Sequence, residues 1–159
     1  TKLVNNSQLN EEKYLKKLLE KLLNLNVLEI GSSDSIYKLI RETWDTNISG
    51  NVDFTNLDFQ LKQIGYDKVD IASFDTKVRD LNQDNILNFF TKSIYKTRCS
   101  IVHYKTHEFH LNDDTLDGMY EFKRFLEFFL VPLVLKIIST SIFSTNSPVV
   151  YQYNKLTLF

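Results

Sequence analysis

Arg98 and His103 stand five positions apart inside Ser93-Ile-Tyr-Lys-Thr-Arg-Cys-Ser-Ile-Val-His-Tyr-Lys105. A guanidinium keeps its charge at any physiological pH, whereas an imidazole titrates near neutrality. The two suffice for cutting RNA without a metal: the arginine holds the phosphate and the histidine moves the proton of the attacking 2′-hydroxyl. On an unbroken helix, five residues leave two side chains about 140° out of alignment. They reach one phosphate only if the helix loosens between them or if the site is assembled across two chains. The competing account from the residues alone is an arginine in a surface ion pair and a histidine that packs or caps a helix end.

The surroundings of the pair are basic, with Lys92, Lys96 and Lys105 beside Arg98, while acids gather elsewhere at Asp113, Asp114 and Asp117. A cluster of this size is most often a solvated helix face. His103, His107 and His110 are the only histidines and fall within eight residues. At i, i+4 and i+7 they share a helical face and, with Glu108 near, would make a three-histidine zinc site if the helix ran on through residue 110. The polar stretch after His103 and the cap signal at Asn112 favour a turn there instead, with His107 and His110 orienting groups around the motif. Cys99 and His103, four apart, would make a thiolate–imidazolium pair. A helix C-terminus raises a thiol pKa, however, so Cys99 reads as a small packing residue. No glycine-rich phosphate loop, paired-carboxylate motif or cysteine cluster is present, so no cofactor or metal is expected.

The elements that position these residues follow from composition and periodicity. In 159 residues there are four glycines and two prolines, with 43% hydrophobic and 13% aromatic content. That is enough apolar surface for one domain over 1–159, and too few turn residues for many short strands. A net charge of −1 argues against coating nucleic acid by bulk electrostatics, though not against a local site. The single cysteine fits a reducing compartment, and no charged-then-apolar leader opens the chain, so a cytoplasmic location is expected. The first residue is Thr, which reads as a fragment, such as the terminal domain of a longer protein.

A first helix is expected over 9–25, from Tyr14, Leu15, Leu18, Leu19, Leu22 and Leu23, and a second over 35–46 behind a cap at 32–34. Phe54, Leu57, Leu61 and Ile64 form a short helix stopped by Gly65, whereas 66–78 has no clean period. The third long helix, 82–104, carries a stripe of Ile86, Leu87, Phe90, Ile94, Ile101 and Val102 and ends on the motif. A fourth, 115–143, is capped at 112–114. It is apolar nearly all round from Phe125 to Ile138, too interrupted by Glu127 and Lys136 for a membrane span of ~20 apolar residues, and so reads as a buried central helix. Pro132 removes one of its hydrogen bonds and kinks it. The tail from Pro148 alternates weakly and reads as a short extended arm.

Four long helices with Arg-x4-His at the C-terminal end of the third resemble the HEPN family (higher eukaryotes and prokaryotes nucleotide-binding). The sequence-specific part of the resemblance is Ile94-Tyr95, Arg98, Val102-His103 and Glu108-Phe109-His110. It implies an all-α, HEPN-like up-and-down bundle of four to five main helices. It further implies a homodimer whose two motifs line one cleft, and metal-independent cleavage of single-stranded RNA to a 2′,3′-cyclic phosphate and a 5′-hydroxyl. Arg98 would stabilise the phosphorane charge and His103 would be the general acid/base, with Cys99, Ser100, His107 and His110 supporting the motif. Family members often carry Asn or another polar residue where Cys99 stands. Those paired with small nucleotidyltransferases often carry Tyr where Lys105 stands. Lys92, Lys96 and Lys105 would guide the strand, and Tyr95 or Tyr104 would stack a base. The implied setting is a toxin–antitoxin, abortive-infection or CRISPR-like defence system, with an antitoxin or regulatory domain as partner and no membrane. The alternative is a non-catalytic helical interaction domain in which Arg98 and His103 are structural. A histidine-based metal binder is a third class.

Overall fold

The computed structural model describes residues 11–21, 36–80, 82–102 and 109–143. Among them every regular element is helical, and no helix is long and apolar enough to cross a membrane. Helix α1 covers residues 11–21. It is followed by α2 (Ile36–Asn47), α3 (Phe54–Gln63), α4 (Ile71–Arg79), α5 (Gln83–Val102), α6 (Asp113–Asp117) and α7 (Tyr120–Phe125). A π turn, Leu126–Leu130, joins α7 to α8 (Val131–Phe143). The expected all-α bundle is what the chain forms. The outer ends of the first helix, the cap at 32–34 and the tail from Pro148 lie outside the described residues.

Helix α3 starts where Asp53 accepts hydrogen bonds from the Thr55 and Asn56 amides, at 2.9 and 3.2 Å. It ends at Gly65, whose φ of 96° only glycine adopts without strain. The Tyr66 amide reaches back to the Leu61 carbonyl and the Gly65 amide to Lys62, each at 3.1 Å, so the last carbonyls are satisfied in a Schellman arrangement. The stretch without a clean period, to which the sequence assigns no element, contains α4. Its Ile71, Phe74 and Val78 are buried at i, i+3 and i+7, and Asp70 caps it by accepting from the Ser73 amide at 2.9 Å. The pattern is masked because the buried side also holds Asp75.

Asp75 is buried because Trp44 needs it. The Trp44 indole is fully buried and donates from Nε1 to Asp75 Oδ1 at 2.9 Å. The other carboxylate oxygen meets Arg79 Nη2 at 3.1 Å. Around the indole, Phe74 and Phe129 stand edge-on at 4.9 and 5.1 Å, a geometry the ring quadrupoles favour. Helices α2 and α4 and the π turn therefore meet at one aromatic centre with its single polar atom satisfied.

The expected fourth helix is broken. Asn112 and Thr115 form a reciprocal capping box, but α6 stops before Gly118. α7 begins with the Phe122 amide donating to Gln60 Oε1 at 2.7 Å, which gives an otherwise orphaned amide a partner on α3. Pro132 has no N–H for the Phe128 carbonyl four residues earlier; Asn47 Nδ2 supplies one at 3.1 Å. The π turn ends two residues before this proline. The helix is not buried all round: Phe122, Phe125, Phe129, Leu133 and Ile137 face the core, while Phe128, Val131, Leu135 and Ile138 are 48–61% exposed. Likewise Ile86, Leu87 and Phe90 of α5 are buried, but Ile101 and Val102, expected in the same stripe, are 54% and 59% exposed.

Candidate functional site

Helix α5 carries Arg98 in its last two turns. The Arg98 side chain is 53% exposed and its Nη1 lies 3.1 Å from Glu11 Oε2 at the start of α1. This is a surface ion pair, the arrangement that the non-catalytic account expects of Arg98. Just inside it, Tyr95 is buried, and burial pushes its phenol well above the usual range, with the neighbouring Cys99 thiol and the Glu11 and Glu12 carboxylates adding to the rise. A ring so enclosed is not offered to a base, which corrects the stacking role considered for Tyr95. Cys99 is partly buried and in no disulfide. Ser100 is buried, donating to the Thr97 carbonyl at 2.8 Å. Its own carbonyl accepts from the Leu111 amide at 2.9 Å. That bond ties the end of α5 to the segment entering α6.

His103, Tyr104, Lys105, His107 and Glu108 lie outside the described residues. His110 is partly buried, and its carbonyl accepts from Thr115 Oγ1 at 3.0 Å. Among the described residues no cluster of three or more His, Cys, Asp or Glu side chains is placed to hold a metal.

Lys92 and Lys96 share α5 with Arg98 but not its face. At about 100° per residue they lie about 120° and 160° round the helix from it. Lys92 Nζ sits 5.3 Å from the Tyr66 ring centre. Lys96 runs beside Gly65, its Cδ 3.6 Å from where a Cβ would stand. Both therefore face the α3–α4 connection. The structure joins Lys92 to three lysines that sequence reasoning did not single out, Lys62, Lys68 and Lys77, around an open cleft. No short motif links them, because they come from α3, a loop, α4 and α5. The one sequence signal was Tyr66 among lysines next to a helix-stopping glycine.

No family model, curated protein or solved structure compared with this chain matches it.

Proposed function

We propose that this chain is a metal-independent endoribonuclease acting on single-stranded RNA. Its composite site is formed by Arg98 and His103 of two copies, and it serves as the effector of a toxin or defence system restrained by an antitoxin or regulatory domain. One observation supports the reading: the motif arginine stands half exposed at the end of a 20-residue helix, and its partner among the described residues is a single surface carboxylate, Glu11. Such pairs contribute about 0–1 kcal/mol, so a phosphate competes readily with Glu11 for the guanidinium. In the proposed reaction His103 removes the proton from a 2′-hydroxyl, whose oxygen attacks the adjacent phosphorus. Arg98 offsets the charge of the phosphorane, and the 5′-oxygen leaves with a proton delivered by a His103 imidazolium of the composite site, giving a 2′,3′-cyclic phosphate and a 5′-hydroxyl. Were α5 to run on through residue 103, the two side chains would stand about 140° apart, which is why two copies are invoked. The test is cleavage of labelled single-stranded RNA in excess EDTA by the native chain, Arg98→Ala and His103→Ala, with the cut ends identified.

A second reading, a non-catalytic interaction domain, is favoured by the α8 surface. Phe128, Val131, Leu135 and Ile138 follow the 3-4-3 spacing of a helix-pairing seam and are half exposed. On that reading a second copy covers the stripe and Arg98 stays paired with Glu11. Dimerisation without RNA cleavage would select it.

A further inference from the structure

We infer that the cleft between the α3–α4 connection, α4 and the first half of α5 is a binding site for a nucleotide, free or within a strand. The cleft holds about 530 Å³, within the range of small-molecule sites. Lys62, Lys68, Lys77 and Lys92 line it against two carboxylates, Asp67 and Asp70. Asp70 is already engaged in capping α4. Among the described residues none of the four lysines is within ion-pair distance of a carboxylate. They come from separate elements and converge on a concavity, which a solvated helix face does not do. Ammonium groups that gather around a concavity with no carboxylate partner among the described residues favour a ligand with more than one negative charge.

The remaining lining names the ligand more closely. Phe74 and Phe89 stack at 3.9 Å and form the apolar floor. Asn85 and Asn88, on the first turns of α5, bring amides that both donate and accept. Phosphates on ammonium groups, a ring on an apolar floor and amides at a base edge are the combination a nucleotide needs. An acidic peptide would use the lysines and leave the floor and the amides idle. The site is separate from Arg98, so it stands whether or not RNA is cut there.

The experiment is isothermal titration of the full chain with three probes. These are ATP, inorganic tripolyphosphate, and an RNA tetranucleotide carrying 2′-O-methyl groups, which has no hydroxyl to attack and cannot be cleaved by the proposed reaction. Lys68→Glu/Lys77→Glu alters two exposed cleft residues. Lys13→Glu/Lys136→Glu makes the same charge change at exposed positions elsewhere. The expected result is saturable binding of ATP, of the tetranucleotide or of both. The cleft variant should weaken it by about tenfold or more, or ~1.4 kcal/mol, and the control variant by less than about twofold. Tighter binding of ATP identifies a free nucleotide as the ligand, and tighter binding of the tetranucleotide a strand. Three results would overturn the inference: no binding of either probe, equal loss in both variants, or tripolyphosphate binding as tightly as ATP.

Discussion

Arg98 is the residue on which the functional reading turns, and its one described partner makes a sharp expectation. Glu11→Gln removes the acceptor without removing the helix turn. Because the pair is exposed on both sides, thermal stability should change by no more than about 1 kcal/mol. If Arg98 binds phosphate, the rate of RNA cleavage should be equal or higher in this variant, as read from initial rates. A fall in rate would show that Glu11 positions the arginine rather than competes for it. Three phenols make a second expectation at this scale. Burial raises the pKa of Tyr37, Tyr66 and Tyr95, and the hydrogen bond Tyr66 shares with Ser93 opposes its rise only in part. Above about pH 10 the unfolded chain ionises these groups and the folded chain does not. The unfolded state then binds fewer protons, so stability falls as pH rises through that range. Phenolate absorbance should show these groups ionising together with unfolding, not before it.

Helices are the scale at which the sequence was most legible and at which its gaps have physical causes. α3 could be read because its stripe and Gly65 stand together within a dozen residues. α4 could not, because Asp75 breaks its apolar pattern and the reason for that aspartate, Trp44, lies 31 residues away. Asp75→Ala should therefore cost about 1–3 kcal/mol in chemical denaturation, the penalty of an orphaned indole N–H. In Trp44→Phe, which has no N–H to orphan, adding Asp75→Ala should cost much less. The interrupted last helix gives a parallel case. Asn47→Ala strips the donor from the Phe128 carbonyl that Pro132 cannot serve, and should lose about 1 kcal/mol. Pro132→Ala, which restores an amide four residues on, should reduce that loss. Equal losses in both backgrounds would mean that Asn47 acts elsewhere.

At the scale of the molecule, the all-helical class followed from composition, but the way charge is distributed over the surface did not. Lys92, Lys96 and Arg98 look like one basic run in sequence, yet α5 turns the lysines toward the α3–α4 connection and the arginine toward α1. A net charge of −1 likewise conceals four lysines gathered at one cleft. The half-exposed α8 stripe bears on assembly. Leu135→Glu, at a 61% exposed position, should leave the helical signal intact. If a second copy covers the stripe, it should also turn a dimer into a monomer in sedimentation. The most direct test of the central claim remains cleavage of single-stranded RNA in excess EDTA. The native chain should cut and leave a 2′,3′-cyclic phosphate, with Arg98→Ala slower by about 10²–10³-fold and His103→Ala by about 10²–10⁴-fold. Equal cutting by all three proteins, or none by a native chain shown to be dimeric, would contradict the assignment of Arg98 and His103 as a nuclease site.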